Sequence, residues 1–466
     1  MAGKVLNIKY IILSLGFIFC LPSFHGHAQG RDENAGKGVA NDARASSQSE
    51  SIAGFNKNTN QAAQWFPQAG LGLFMHWGIH SVAGIQPSWA MIRDYPYVDN
   101  RNYDSPEKYY KLASQFNPKN YDADKWMKAA AGAGFTYVVL TTKHHDGYCL
   151  WPSEYGQYST RTYMNGRDLL KPYVDACRKY NLKVGFYFSP RDWSYPGYPM
   201  KYANFDYDNR DRTDLIADSL KSEQAFEAFY RYTRAQLHEL LTRYGPIDIL
   251  WFDGLRWPGM ENIKTEKIHE WVRSLQPDIL MNERWGHAYG DFYTEEWMMP
   301  ENPPPYEWWE YTISWKGHWG YSPHLPYQFD NNQLIERLIE VRKWGGNFLL
   351  DIGPAPDGSM PEGFYERLDS LSNWMRDHKK SVINTSPLLY PGKCNKPATR
   401  NNKEWFVFLM PGDKGNVEIV EVNRPDEIYL LNDQLTVPFS YEHKKISLTL
   451  DEDRRNKKVQ VIAIRW

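Results

Sequence analysis

From Gln61 onward, short apolar runs alternate with segments whose apolar residues recur every three to four positions. The runs GLGLFMHWG (70–78), FTYVVLTTKHHDG (135–147), LKVGFYFSP (182–190), IDILWFDG (247–254), DILMNERWG (278–286) and GNFLLDIGP (346–354) predict buried strands, each closing on polar residues. Between them, DADKWMKAAAGAG, DLLKPYVDACRKYN, SEQAFEAFYRYTRAQLHELLTRYG, EKIHEWVRSLQ and NNQLIERLIEVRKWG predict amphipathic helices, several ending in the Gly or Asn of a C-terminal cap. Strand, helix, strand at this spacing implies parallel pairing with crossover helices. Repeated over 61–385, the order predicts an α/β fold, a (β/α)8 TIM-like barrel. The open doubly wound sheet is disfavoured, because HWGIHSV rather than a Gly-rich phosphate loop follows the first strand.

After about Ile383 the period shortens to two in WFVFLM, VEIVEV, EIYLLN, KISLTL and VQVIAIRW, which are separated by PGDKGN, NRPD and DEDRRN turns. This predicts a C-terminal antiparallel β-sandwich over 386–466, serving in packing. At the other end, Lys4 and Lys9 precede an apolar run from Tyr10 to Leu21, with the small Ala28 beyond it. That is the architecture of a signal peptide over 1–28, too short to span a bilayer comfortably, so the mature chain is expected in the periplasm or secreted, without a membrane anchor. Cys20 is not read as a lipid site, since Ile18 and Phe19 ahead of it are bulky. Residues 29–60 are polar, rich in Gly, Ser and Asn, and predict a disordered linker.

Composition narrows the partners. With 54 Lys+Arg against 56 Asp+Glu, the net charge of -2 leaves no basic excess to neutralise phosphates, so nucleic acid is not an expected partner. Cys149, Cys177 and Cys394 have no metal-ligand spacing and allow at most one bridge. The 19 Trp and 32 Tyr, many in polar surroundings, suit stacking on sugar rings.

In a barrel the active site forms at the C-terminal strand ends, and side chains alternate faces with period two. On that rule Trp251 and Asp253 share a face, as do Gly185, Tyr187 and Ser189, and Phe74 goes with His76. If Arg284 faces the mouth, Glu283 faces the helices. The mouth then holds Asp253, His76, His144, His145, Arg284, Tyr187, Trp89 and Trp251. Imidazoles and a guanidinium bond hydroxyls, indoles stack on the apolar face of a sugar, and a carboxylate stabilises an oxocarbenium-like centre. A metal is not expected at KHHD, because neighbouring strand residues point apart, and no cofactor is implied.

GLFMHWGIHSV, TTKHHDGYCLWPS, GFYFSPRDW, LWFDG, NERWG, DFYTEEW with WWEYTISW and WGY, and FLLDIGPAPDG resemble, in order, the α-L-fucosidases of glycoside hydrolase family 29. The resemblance implies a retaining exo-glycosidase whose nucleophile is Asp253. It also implies that fucose hydroxyls are held by His76, His144, His145 and Arg284, with Tyr187, Trp251 and Trp89 near the ring. Many relatives carry a Glu before that Trp, where this chain has Ser88. Retention needs a second carboxyl, and Glu295, Glu296, Glu301, Glu307 and Glu310 follow Asp253. The TEE segment matches the acid/base to Glu296, and the WE motif makes Glu310 the alternative. The implied partner is a fucosylated oligosaccharide or glycoconjugate. A related sugar such as an α-L-galactoside, or a catalytically silent carbohydrate-binding protein, is the competing reading.

Overall fold

The computed structural model describes residues 57–91, 101–103, 105–196, 223–254, 265–285, 289–388, 391–451 and 458–466. The expected signal peptide and the expected linker up to residue 56 lie outside them. Eight parallel strands are β1 (Leu71–Met75), β2 (Tyr137–Lys143), β3 (Lys183–Phe188), β4 (Ile249–Phe252), β5 (Leu280–Met281), β6 (Tyr293–Glu296), β7 (Trp309–Ser314) and β8 (Asn347–Ile352). They pair in the order β5-β4-β3-β2-β1-β8-β7-β6. A parallel bridge between Asn282 and Phe292 joins the two end strands, so the sheet curls back on itself as a TIM-like barrel.

All six apolar runs become strands. β6 and β7 are additional, inside the acidic and Trp-rich motifs. Helices Ala123–Gly132, Leu170–Lys179, Glu223–Arg243, Thr265–Leu275 and Asn331–Arg342 fall on the five predicted amphipathic segments, and Phe364–Val382 follows β8. Among the described residues no α-helix lies between β5 and β6 or between β6 and β7. The eightfold strand count therefore holds, whereas the helix layer is incomplete on that flank.

Strand alternation divides the core. Leu71, Leu73 and Met75 of β1 pack outward against the helices, while Phe74 joins Tyr187, Trp251, Val139, Ile249 and Leu349 inside the barrel. The floor, at the N-terminal strand ends, is filled by the segment ahead of β1. Ala63, Phe66 and Ala69 are buried there against Tyr137, Phe292 and Trp308, with the Phe66 and Phe292 rings 4.2 Å apart. Within the expected linker, Asn58 is already held by the fold: its backbone N–H donates to Asp291 and its side chain to the carbonyls of Pro277 and Ile279. Arg342, fully buried, donates to the carbonyls of Pro67, Gly346 and Thr385, tying this floor to the chain that leaves the barrel.

Beyond residue 385 the strands are antiparallel, in a five-stranded and a three-stranded sheet that enclose their own apolar cluster. This is the expected sandwich. It docks on the end of helix Phe364–Val382 through Lys380, whose ammonium pairs with Glu404 at 2.7 Å. Cys149, Cys177 and Cys394 are all buried free thiols. No helix among the described residues is long and apolar enough to cross a membrane.

Candidate active site

Asp253 follows the last residue of β4, and its carboxylate is held from three sides. Tyr187 Oη–H donates to Oδ2 at 2.9 Å, Arg284 Nη1 donates to Oδ1 at 3.0 Å, and His145 Nε2 lies 3.6 Å from Oδ2. Burial opposes its ionisation, but the charges of Arg284, His145 and Arg191 and the Tyr187 bond win and hold its pKa at about 2. Arg284 is the hub of the mouth. While Nη1 bonds Asp253, Nη2 pairs with Glu296 Oε1 at 2.6 Å, and the guanidinium carbon lies 4.9 Å from the centre of the Trp251 ring. One cation thus joins two carboxyl groups at the ends of β4 and β6.

Three imidazoles face them. His76 Nδ1 meets Asp351 Oδ1 at 2.7 Å, His144 Nδ1 meets Ser88 Oγ at 2.6 Å, and His145 Nδ1 meets Ser189 Oγ at 2.6 Å. Each ring is fixed through Nδ1, which leaves Nε2 to address the mouth. Burial pushes His76 and His145 down to about 3, although Asp253 pulls both the other way, and it holds His144 well below the usual range. All three are neutral near pH 7. The walls are aromatic. Tyr187 stacks on Trp251 at 5.5 Å and on His144 at 5.4 Å, Trp89 stands edge-on to His145 at 5.4 Å, and Trp319 lies 5.4 Å from His76.

Every residue read from the sequence as lining the mouth is there, but three expectations change. First, Glu310 does not reach the mouth. It is the second residue of β7, fully buried, and accepts hydrogen bonds from Tyr137 at the start of β2 and from Trp251 Nε1 at 3.0 Å. Burial pushes its carboxyl up to about 7 despite those bonds. Glu296, at the end of β6, is the carboxyl that shares Arg284 with Asp253.

Second, Glu283 does not turn to the helices. The strand ends before it, and Glu283–Trp285 form a 3-10 turn in which Glu283 and Arg284 both reach the Thr294 hydroxyl. Third, β2 ends at Lys143, so the alternation invoked for KHHD does not apply to His144 and His145. Their ring centres are 4.1 Å apart, and His144, His145 and Asp253 each bring a ligand atom within 4.8 Å of the others. The distances alone would admit a cation. The same atoms are the ones a sugar hydroxyl would meet.

Ser88, the residue ahead of Trp89, is fully buried. Beyond its contact with His144, its Oγ accepts from the Asp146 N–H and its own N–H donates to Tyr109 Oη. Arg191 and Asp351 are not among the residues read from the sequence, and Ser189 is read there only as sharing a face with Tyr187. The signal was there, in the SPRDW and FLLDIGP motifs at strand ends.

A barrel that joins two carboxyl groups through an arginine, among neutral imidazoles and stacked rings, has the machinery of a glycoside hydrolase. The α-L-fucosidase family model matches residues 39–380. The tissue α-L-fucosidase of Rattus norvegicus is 28% identical over 379 residues, covering 76% of this chain and 78% of that protein. Among solved structures, α-L-fucosidase isoenzyme 1 from Paenibacillus thiaminolyticus is 30% identical with a TM-score of 0.75, covering 87% of this chain and 98% of that one. The Thermotoga maritima α-fucosidase in complex with a mechanism-based inhibitor is 27% identical, with a TM-score of 0.69 and coverage of 87% and 97%. The chain belongs to the α-L-fucosidase family, glycoside hydrolase family 29, and is an α-L-fucosidase by function.

Proposed function

We propose that this chain is an exported, retaining exo-enzyme that releases terminal α-L-fucose from fucosylated oligosaccharides or glycoconjugates through a fucosyl-aspartate ester. Glu296, protonated, gives its proton to the glycosidic oxygen while Asp253 attacks the anomeric carbon, so the C–O bond to the leaving group breaks as the ester bond forms. Glu296, now ionised, then takes a proton from water, and the water oxygen displaces Asp253 to give fucose with its configuration retained. The observation that carries this reading is the Arg284 fork, which holds Asp253 by one nitrogen and Glu296 by the other. As negative charge leaves Asp253 on ester formation, Glu296 becomes ionised, so the fork keeps an anionic partner throughout the step. The neutral His76, His144 and His145 and the Tyr187–Trp251 stack bind and orient the ring. The Thermotoga relative's complex with a mechanism-based inhibitor supports a covalent route. Export rests on the signal-peptide pattern at 1–28.

The test is rescue by an external nucleophile. Azide needs no general base, so Glu296→Ala should be rescued to a fucosyl azide of retained configuration on an aryl fucoside with an acidic phenol. Asp253→Ala should lose turnover by about three orders of magnitude or more and give, if rescued, the inverted azide. Retained-configuration rescue in Glu310→Ala but not in Glu296→Ala would move the acid/base to the floor of the barrel.

A further inference from the structure

Arg284 touches both carboxyl groups assigned to the chemistry, so whatever aims its fork controls them together. Its Nη1 and Nη2 are committed to Asp253 and Glu296, and its remaining edge, Nε–H, donates to Thr294 Oγ1 at 2.9 Å. That hydroxyl in turn donates to Glu283, at 3.0 Å to Oε1 and 3.3 Å to Oε2. Accepting from Arg284 and donating to Glu283 uses the hydroxyl in both its capacities. Thr294 precedes Glu296 by two residues and so shares its side of β6, while Glu283 is the residue immediately before Arg284 in the turn after β5. The relay therefore links the two chain segments that carry Arg284 and Glu296. Glu283 is completely shielded from solvent, an expensive place for a carboxylate unless it is bonded and charge-balanced.

We propose that Thr294 and Glu283 are positioning residues that fix the rotation of the Arg284 fork between Asp253 and Glu296. A second role is assigned to Glu283: its negative charge offsets part of the guanidinium charge. An unopposed cation 2.6 Å from Glu296 would hold that carboxyl ionised, the wrong state for a proton donor. Glu283 exerts the same influence on Glu310, whose protonated form it favours after burial has done so first. Besides Arg284, His76 and Tyr187 interact with Glu296 electrostatically, and Asp253 shares its cation. Neither His76 nor Tyr187 carries a charge near neutrality, whereas Arg284 is a charged group in direct contact with Glu296.

The inference rests on the proposed roles of Asp253 and Glu296, and the experiment separates the two. In the full chain, Thr294→Val removes the hydroxyl at nearly constant volume, Thr294→Ser restores it, Glu283→Gln removes the charge, and Asp253→Asn tests the site itself. On an aryl α-L-fucoside, Thr294→Val should lower kcat about 10- to 100-fold, as a small misplacement of a reacting group does, with KM changed far less. Thr294→Ser should recover most of that loss. Glu283→Gln should move the alkaline limb of the kcat/KM profile to lower pH, because Glu296 gives up its proton more readily once the cation is unopposed. A lowered melting temperature with wild-type kcat and pH profile in Thr294→Val would overturn the proposal and leave the pair a structural link across the barrel seam. If Thr294→Val does not fold, Glu283→Gln decides alone, and an unmoved limb overturns it. Normal turnover in Asp253→Asn would instead sink the site assignment, whatever the relay variants do.

Discussion

Two carboxyl groups in this barrel, one at its floor and one at its mouth, respond to pH in opposite directions. Burial raises Glu310 to about 7, so the folded chain keeps a proton there that the unfolded chain, with an ordinary Glu near 4.5, has released. Its contribution to stability is fully present below pH 4.5 and is lost as pH rises toward 7. Asp253 is held at about 2, below the usual 3.8, so its contribution is present above 3.8 and is lost as pH falls through 2. Glu310→Gln should therefore leave turnover within about tenfold of wild type, and its melting temperature should gain on the wild type between pH 5 and about 7 and level off above that. Calorimetry across that range checks it, and a gap that stays constant would show that Glu310 does not titrate there. The imidazoles supply a different test. If they act as neutral hydrogen-bonding groups, His76→Ala or His145→Ala should weaken a fucose-like iminosugar by about 1 to 3 kcal/mol. A chelator should leave wild-type turnover unchanged; loss of activity on chelation, restored by a divalent cation, would turn the His144, His145 and Asp253 cluster into a metal site.

At the scale of elements, strands that bury apolar residues on both faces could be read from the sequence, and strands that bury polar ones could not. β1 to β5 and β8 are written as Leu, Val, Ile and Phe runs. β6 and β7 carry Thr294 and Glu296, and Glu310 and Thr312, along one face, and nothing in their hydrophobicity marks them; only the family-like motifs drew attention to them. Period two placed Phe74, Tyr187 and Trp251 correctly in the interior because they lie within strands. It failed for Glu283 and for His144 and His145 because those residues lie just past strand ends, where the backbone has already turned. The residues around Asp253 are legible as a set, since each lies at or just past the C-terminal end of a strand. Their pairings are not, because Arg284 with Glu296, or His76 with Asp351, are contacts between segments remote in sequence. Two backbone features were equally hidden. Ser88 and Trp297 adopt positive φ of 60° and 65°, unusual for residues with side chains, and each adjoins a residue of the proposed site, Trp89 and Glu296.

On the scale of the whole molecule, the segment ahead of β1 is a structural part of the barrel. Asn58 bonds the chain around Pro277 and Asp291, and Phe66 fills the floor beside Phe292. A chain shortened to start at Lys57 should fold and turn over an aryl fucoside normally. One starting at Gly70 loses Ala63, Phe66 and Ala69 from the interior and should be recovered largely unfolded or insoluble, as circular dichroism and yield would report. Normal activity from the shorter chain would show that the floor needs no filling. The place of this segment also fixes a direction. Residues 57–69 meet the barrel at the end where its strands begin, whereas Asp253, Glu296 and Arg284 stand where the strands finish. Any carrier or surface joined ahead of Lys57 is thus attached behind the proposed catalytic groups, and the mouth that holds them is presented outward, away from its own point of attachment.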